Sequence, residues 1–374
     1  MRQCPLPGEF GGLLVVTRRG VGGLEWGKSL FLFDPKGGWW MLNFGRNLVY
    51  PTEAYYHGVF LFAILFLVRR RFGVALALTA LLSLSHLFTG LSLVLIVATY
   101  AALELTMRSG AASGRLLLGA IAIGAFHVGY YLVFLSQSAD HRALRSQWEI
   151  DWPYLRWTYG PALYLVGFVA FTRFTRWASA RQILTDPRSP LLLVWLAIVF
   201  GLTQHDLLVK PMQPIHFAHG YDWIALFFLA APAMVRAFEK LSGPALAACV
   251  ILLLSDNLLW LASFASPIQR YAISLTPGES STLAWLRQNT KSGDLVATDN
   301  DRINYLTSTY SPARTWYGHV HNTPNAKDRR REIDAMQFPA PGPNLYILRD
   351  PSRAPHGVQE LQRIGEFHIY RRTL

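Results

Sequence analysis

Apolar stretches dominate the chain between residues 53 and 266, and charged residues, Pro or Gly end each of them. They run over Ala54–Val68, Phe72–Leu87, Thr89–Met107, Leu116–Ser136, Trp157–Phe174, Pro190–Thr203, Tyr221–Val235 and Pro244–Phe264. A bilayer core about 30 Å thick needs roughly 20 apolar residues in a helix, and the third, fourth and eighth stretches meet that length plainly. The pattern predicts a polytopic α-helical membrane protein with about eight transmembrane helices in residues 53–266.

Basic residues are distributed unevenly among the loops that join these stretches. Eleven lie in the loops after the first, third, fifth and seventh stretches, whereas the alternate loops hold four. Loops rich in Arg and Lys stay in the cytoplasm, so the alternate loops, the N-terminal stretch and everything after Phe264 are expected outside. We therefore expect a multi-pass protein of the bacterial inner (plasma) membrane, with an extracytoplasmic C-terminal domain.

The composition agrees with this assignment and excludes several classes of protein. Of the 374 residues, 52% are hydrophobic and 16% are charged, whereas a soluble domain has about 25% charged residues. A disordered chain, a collagen and an ordinary cytosolic enzyme are therefore excluded. The net charge of +12 follows from the basic loops, so no nucleic acid partner is expected. Cys4 and Cys249 lie far apart, which excludes a disulfide framework or a CxxC metal site.

Residues 280–374 change character, because the apolar runs shorten and charged residues return. Strands are predicted at Leu295–Thr298, Arg314–Tyr317, Leu345–Leu348 and Phe367–Tyr370. Helices are predicted at Thr282–Asn289, Ile303–Thr309, Ala326–Met336 and His356–Ile364. Strands that alternate with helices predict a small soluble α/β domain.

Residues 1–52 form a segment rich in Gly and aromatic residues, without a spanning stretch or a signal peptide. Its six basic residues oppose unaided export, although the loop charges place it outside. We interpret it as the remnant of an outer loop and expect the chain to be the C-terminal part of a longer protein. The alternatives are that the segment does cross, or that the first apolar stretch is not a span.

Polar residues gather at the predicted outer ends of the helices. The candidate substrate-binding residues are His86, Arg142, Arg145, Lys210, Gln213, His216 and His219. Arg and Lys bind phosphate groups, and a carboxylate such as Asp206 or Asp222 can deprotonate an incoming hydroxyl group. Ionisable residues at membrane depth indicate function, but a solvated helix end is the simpler explanation for any single one of them.

Metal binding is considered at two places. His216, His219 and Asp222 are three residues apart, so a helix would place them on one face as ligands. Ordinary polar contacts are preferred there, and a divalent cation stays open as a cofactor without assigned ligands. His319 and His321 would share one face of a strand, but no third ligand accompanies them, so a structural role is preferred.

Several segments resemble those of bacterial GT-C-type membrane glycosyltransferases. Ser83–Gly90, a helix end with His86 and an aromatic residue before a small-residue turn, resembles a segment common in that family. Gln213–Tyr221 is similar to the late outer loop of those enzymes. The C-terminal run is similar through Leu283–Thr290, Gly293–Val296, Tyr317–His319, Thr323–Pro324 and the basic helix that reaches Arg331. The resemblance covers most of the chain from about Asn43 onward.

The resemblance implies a membrane enzyme that transfers a sugar from a polyprenyl-phosphate donor at the outer face, with inversion at the sugar and a carboxylate as base. It implies membrane lipid and the lipid-linked sugar as partners. In that family the defining acidic residue lies in the first outer loop, after the first helix. Glu9, Glu25 and Asp34 have no preceding helix, so none matches that position. Asp206 and Asp222 are then secondary candidates, for catalysis or for contacts to the acceptor or the phosphate.

Two other functions stay open. One is a non-catalytic integral membrane protein with a glycan- or partner-binding outer domain. The other is a transporter, for which internal repeats and helices broken at mid-membrane would be typical. The two halves of the sequence show no such repeat, so the glycosyltransferase is the leading hypothesis.

Overall fold

A computed structural model gives the fold in residues 51–108, 110–147, 188–213, 215–218, 274–319 and 322–372, and in shorter runs between 221 and 251. These residues divide into two compact units. The helical unit contains the described residues up to 135 and those from 188 to 251. The C-terminal unit contains residues 136–147 and 274–372. Residues 1–50 of the predicted N-terminal segment lie outside the described part.

The helical unit is built from apolar helices that follow one another closely. They are α1 (Pro51–Val68), α2 (Phe72–Ser85), α3 (Leu87–Arg108) and α4 (Ala111–Val128). A π-helical turn (Gly129–Phe134) and a 3-10 turn (Leu135–Gln137) continue α4. After α5 (Ala139–Gln147), which belongs to the C-terminal unit, the helical unit resumes with α6 (Arg188–Thr203), a 3-10 turn (His205–Leu207) and α7 (Ile215–Ala218).

The break between α2 and α3 is short and closely packed. His86 adopts an extended conformation and ends α2, while its amide still donates a hydrogen bond to the carbonyl oxygen of Leu82. The start of α3 then passes directly over this end. A Cβ atom on Gly90 would lie 2.6 Å from the Cα atom of Ser83. Only glycine allows the two helices to approach so closely at this point.

Large buried side chains hold the helices together. Phe60 of α1, Leu93 of α3 and Trp195 of α6 are fully buried in one core, and each such side chain contributes about 1.5–3 kcal/mol through the hydrophobic effect. Glu104 of α3 is also buried. Its carboxylate forms an ion pair with Arg70, with 2.9 Å between Oε2 and Nη1, which compensates for the burial of a charge.

The prediction of a polytopic membrane protein with about eight transmembrane helices is wrong. Within the described residues, two helices are long and apolar enough to cross a membrane: Leu87–Met107, with 21 residues, and Ala111–Gln137, with 27. α2 has 14 residues and α6 has 16. At about 1.5 Å per residue, both fall short of a bilayer core of roughly 30 Å.

The physical reason for this error is that an apolar run alone does not distinguish a spanning helix from a buried one. α1 and α6 are apolar because they supply core side chains such as Phe60 and Trp195. Of the other predicted stretches, Trp157–Phe174 lies outside the described residues, and Tyr221–Val235 and Pro244–Phe264 are described only in part.

The C-terminal unit contains a mixed five-stranded sheet with helices beside it. Its main helices are α8 (Pro277–Asn289), α9 (Asp301–Tyr310) and α10 (Ala326–Ala335). Its strands are β1 (Leu295–Thr298), β2 (Arg314–Thr315), β3 (Leu345–Leu348), β4 (Val358–Ile364) and β5 (Phe367–Arg372), in the order β2-β1-β3-β5-β4. β1 pairs in parallel with β2 and β3, whereas β5 pairs antiparallel with β3 and β4. All four residues of β3 are buried, as expected for a central strand.

The four strands predicted from the sequence are confirmed, two of them with small changes in length. β1 and β3 have the predicted bounds, β2 is two residues shorter and β5 two residues longer than predicted. The helix predicted at His356–Ile364 is wrong, because Val358–Ile364 forms β4. Gly365, with φ of 57°, begins the two-residue turn that pairs Ile364 with Phe367. A glycine at the first turn position is typical of a β-hairpin.

Candidate functional site

Histidine and aromatic side chains of the helical unit form one connected group of ring contacts. The group lies where the start of α1, the α2–α3 break and the α6–α7 connection meet. We call it the aromatic–histidine cluster, and its members are Tyr56, His57, Phe60, His86, Phe88, Trp195, His205, His216, Phe217 and Tyr221.

His86 is held in a defined orientation within this cluster. Its ring stacks on Tyr56, with 4.4 Å between centroids, and the amide of Thr89 donates a hydrogen bond to Nδ1 over 3.1 Å. Because Nδ1 accepts this bond, the neutral ring carries its proton on Nε2. Burial lowers the pKa of His86 to about 4. The imidazole is therefore neutral at pH 7 and acts as a hydrogen-bond donor through Nε2.

Phe88 connects His86 to the α7 helix. Its ring lies 6.2 Å from that of His86, and it stacks on His216 at 5.0 Å. Phe217 packs edge-on against the ring of Phe88, with 5.2 Å between the ring centroids. Phe88, in the first turn of α3, therefore contacts two histidines that are far apart in the sequence.

His205 organises the connection between α6 and α7. Its Nε2 accepts a hydrogen bond from the amide of Met212 over 2.8 Å, so Nδ1 carries the proton and donates to the carbonyl oxygen of Leu202 over 2.6 Å. The ring also packs edge-on against Phe217 at 5.4 Å. His205 thus fixes the chain on both sides of Asp206, whose half-buried carboxyl group lies in the same 3-10 turn.

Gln213 adopts an unusual backbone conformation at the start of α7. Its φ is 48°, in the left-handed region that favours glycine, and the residue is only 3% exposed. A non-glycine residue held in such a conformation costs on the order of 1–3 kcal/mol. Its carbonyl oxygen accepts a hydrogen bond from the amide of His216 over 2.9 Å. The surrounding packing therefore holds a strained residue three positions before His216, and such strained residues are common at ligand-binding sites.

The other end of the cluster is a buried hydrogen bond between His57 and Tyr221. Nδ1 of His57 lies 2.9 Å from the hydroxyl oxygen of Tyr221. Tyr221 is fully buried and stacks on Phe60 at 4.0 Å, and Phe60 in turn contacts Trp195 at 5.2 Å. These contacts link the second and third turns of α1 to α6 and to the segment after α7.

The structure brings together some of the predicted site residues. His86 and His216 belong to the aromatic–histidine cluster, and Asp206, Lys210 and Gln213 lie on the α6–α7 connection that supports it. Asp206 is half-buried, whereas Lys210 is exposed. The predicted residues Asp222 and His219 lie outside the described residues.

The predicted pair Arg142 and Arg145 belongs instead to α5 in the C-terminal unit. Nη1 of Arg142 donates hydrogen bonds to the carbonyl oxygens of Ser136 and Gln137 over 2.8 and 2.9 Å. This guanidinium group satisfies the carbonyls at the end of the preceding turn, which is a structural role. No pattern in this polar loop indicates that it forms part of the C-terminal unit.

A second polar contact, which the sequence did not indicate, joins α2 and α4. Oγ of Ser83 lies 2.8 Å from Nδ1 of His127, and both residues are buried. The ring of His127 contacts that of Tyr131 at 4.7 Å, at the point where α4 becomes π-helical. Single π-helical turns are frequent at functional sites. A buried serine and a buried histidine 44 positions apart share no local pattern that would have revealed them.

Metal binding finds no support in the part of the chain that the structure describes. No group of three or more His, Cys, Asp or Glu side chains there is arranged to hold a metal ion. His319 lies in the C-terminal unit beside Tyr305, and its predicted companion His321 lies outside the described residues.

Among the described residues of the C-terminal unit, Glu279 is the most buried carboxylate, and its role is structural. Glu279 accepts hydrogen bonds from the amide of Thr276, from Asn300 and from Arg302, over 2.9, 3.1 and 2.8 Å. Burial opposes the charged form, but these hydrogen bonds and the charge of Arg302 hold the pKa of Glu279 below its ordinary value. With these partners the carboxylate ties α8 to the start of α9.

Comparison with known proteins adds no relative. No protein-family model matches the chain, and no curated protein matches it.

Proposed function

We propose that the chain is a membrane glycosyltransferase of the GT-C type, which transfers a sugar from a polyprenyl-phosphate donor at the outer face of the bacterial inner membrane. We assign the sugar-phosphate end of the donor to the aromatic–histidine cluster. The observation that carries the proposal is that the ring of Phe88 contacts the rings of both His86 and His216, next to the connection that holds Asp206.

Contact with membrane lipid is supported by the surface of α4 and its π-helical extension. Leu118 is 69% exposed, and Ile121, Phe126, Val133 and Phe134 are exposed as well. Water rarely covers so many large apolar side chains on one helix, because each exposed CH₂ group costs about 0.8 kcal/mol. The same helix is one of the two that are long enough to cross a membrane. Lipid acyl chains are the partner that suits this surface.

Binding of a sugar phosphate is supported by the chemistry of the cluster. His86 is neutral and carries its proton on Nε2, and an imidazole N–H is a type of donor that binds phosphate oxygens. Gln213, held in a strained conformation before His216, provides an amide group at the same place.

Asp206 is the described carboxylate that suits the role of base. In the proposed reaction it accepts the proton of the acceptor hydroxyl while that oxygen attacks the anomeric carbon of the donor. The bond from the anomeric carbon to the phosphate oxygen breaks, and the polyprenyl phosphate leaves with the bonding electrons. Hydrogen bonds from neutral histidines such as His86 stabilise the charge that develops on the phosphate. Asp222 is the alternative base.

Transfer in reconstituted membranes tests the proposal. The complete chain is incorporated into nanodiscs and supplied with polyprenyl-phosphate-linked, radiolabelled hexose or pentose and a cell-envelope acceptor fraction. We expect Asp206→Asn to lower the transfer rate by about 100-fold or more, as removal of a general base does. His86→Phe, which keeps the stacking on Tyr56 but removes the donor, is expected to lower it by about tenfold or more.

The matched control is Asp328→Asn, which changes an exposed carboxylate of the C-terminal unit. Transfer is expected to be unchanged in this variant. Wild-type rates in both Asp206→Asn and Asp222→Asn would remove these carboxylates from the mechanism. Absence of transfer by the unmodified chain with every donor would favour the non-catalytic glycan- or partner-binding protein instead.

A further inference from the structure

Exposed and half-buried aromatic and polar side chains gather at one edge of the sheet in the C-terminal unit. β1 and β2 are parallel neighbours, so their carboxyl ends share this edge, where α9 and the loop of residues 316–319 begin. Ligands of open parallel sheets bind outside this edge. We call the group the Tyr305 site, and its members are Asp301, Tyr305, Tyr317, His319 and Arg330.

Tyr305 is the most exposed aromatic side chain of the described C-terminal unit. It is 57% exposed, yet its orientation is defined, because the ring packs edge-on against His319 with 5.8 Å between centroids. An aromatic side chain that is already oriented loses little conformational entropy when a ligand covers it. Its face can pack against the C–H groups of a sugar ring, as apolar groups pack on aromatic faces.

Charged groups lie beside this ring in a fixed arrangement. Asp301 precedes Tyr305 by four residues, so both lie on the same face of α9. Arg330 of α10 forms an ion pair with Asp301, and its guanidinium lies over the ring of Tyr317 at 5.7 Å. The Asp301 side chain is 69% exposed, so its carboxylate can accept further hydrogen bonds from a ligand.

His319 adds an uncharged polar group. Burial lowers the pKa of His319, so the ring is neutral at pH 7. The site thus combines a flat apolar ring, a carboxylate acceptor, a guanidinium donor and a neutral imidazole. Adjacent hydroxyl groups of a sugar match planar carboxylate and guanidinium groups in pairs.

We propose that the Tyr305 site binds a saccharide, with the sugar ring on Tyr305 and its hydroxyl groups hydrogen-bonded to Asp301 and Arg330. This inference goes beyond the proposed transfer reaction and does not depend on it, because it concerns only residues of the C-terminal unit. At this site the glycan is bound and is not chemically changed.

Two other kinds of ligand fit the surface less well. A protein partner typically covers about 800 Å² on each side, but the large hydrophobic side chains exposed in the described C-terminal unit are Tyr305, Tyr310 and Leu361. A polyanion needs arginines that are available for phosphate contacts. In α10, Arg331 pairs with Asp328, and Arg329 donates a hydrogen bond to the carbonyl oxygen of Trp316.

Saturation-transfer difference NMR tests the proposal on the complete chain in nanodiscs. Alkyl glycoside detergents are avoided, because their own sugar would occupy the site. The probes are methyl α-mannopyranoside, methyl β-galactopyranoside, methyl α-glucopyranoside and methyl α-arabinofuranoside. We expect saturation transfer to at least one of them, and we expect Tyr305→Ala to weaken its binding by about tenfold.

The chain offers a matched control in Tyr310, which is 55% exposed on the same helix but is not part of the site. Tyr310→Ala and the ring-conserving Tyr305→Phe are expected to bind as the unmodified chain does. The proposal would be overturned if no saturation transfer to any of the four probes is observed. It would also be overturned if Tyr305→Ala and Tyr310→Ala weaken probe binding equally. If the chain does not transfer sugar from the lipid donor but a saccharide still binds at the Tyr305 site, the proposed enzyme function is contradicted and the saccharide-binding proposal is not.

Discussion

Nδ1 of His57 lies 2.9 Å from the hydroxyl oxygen of Tyr221, and this hydrogen bond joins the second turn of α1 to a residue 164 positions later. Both residues are buried. Loss of one partner of a buried hydrogen bond destabilises the fold by more than formation of the bond stabilises it. The reason is that the remaining partner is left without a hydrogen bond in an apolar environment. The contact therefore holds one end of the aromatic–histidine cluster in place.

Replacing Tyr221 by Phe tests this contact while the stacking on Phe60 is kept. We expect the free energy of unfolding to fall by about 1–3 kcal/mol, because a buried hydrogen-bond partner is lost. Thermal unfolding in nanodiscs measures the change. Tyr55→Phe is the control, since the Tyr55 hydroxyl lies 3.2 Å from Oγ of Ser85 at an exposed position. Equal effects of the two substitutions would contradict the role of the buried contact.

Gln213 allows the backbone strain before His216 to be measured. At φ of 48° a glycine is favoured over an alanine, so we expect Gln213→Gly to be more stable than Gln213→Ala by about 1 kcal/mol. Both variants lose the same side chain, so their difference isolates the backbone. The control is the same pair of substitutions at Gln337, an exposed residue without a positive φ. There we expect the glycine variant to be no more stable than the alanine variant. A more stable Gln213→Ala would show that the site carries no strain.

Glu279 makes the stability of the C-terminal unit sensitive to acid. Its pKa in the folded chain is lower than the ordinary value of 4.5, so the unfolded chain binds the proton more tightly. The stabilisation is therefore fully present above pH 4.5 and is lost as the pH falls through the folded-state pKa. We expect the Tm of the unmodified chain to fall more steeply between pH 6 and about pH 3 than that of Glu279→Gln. Glu366→Gln, at an exposed position, serves as control and is expected to behave as the unmodified chain.

Leu118 tests whether lipid covers the exposed face of α4. Leu118→Arg is expected to destabilise insertion by about 2.5–3.5 kcal/mol if the position lies at the centre of a spanning helix. Leu361→Arg places the same charge at an exposed leucine of the C-terminal unit, where no effect on insertion is expected. Alkaline extraction of membranes measures the inserted fraction. Full retention of both variants would indicate that α4 is not in contact with lipid.

Local signals in the sequence were sufficient for most elements of the C-terminal sheet. Leu295–Thr298 and Leu345–Leu348 were predicted with their observed bounds, because each is a short apolar run between charged or turn residues. The β4 strand was missed, because Val358, Leu361 and Ile364 have the spacing of a helix face. The glycine of the following turn was the stronger signal.

The sequence by itself determined where the described helices α1–α4 and α6 lie to within a few residues, and it identified His86, Gln213 and His216 as candidate site residues. The tertiary structure alone decided which apolar helices are long enough to span, and which polar residues meet. Phe88 brings His86 and His216 together, and Gln147 ties α5 to the C-terminal unit through hydrogen bonds to Thr323 and Ala326. These contacts join residues far apart in the chain, and local spacing carries no information about such partners because their energy comes from burial in the folded unit.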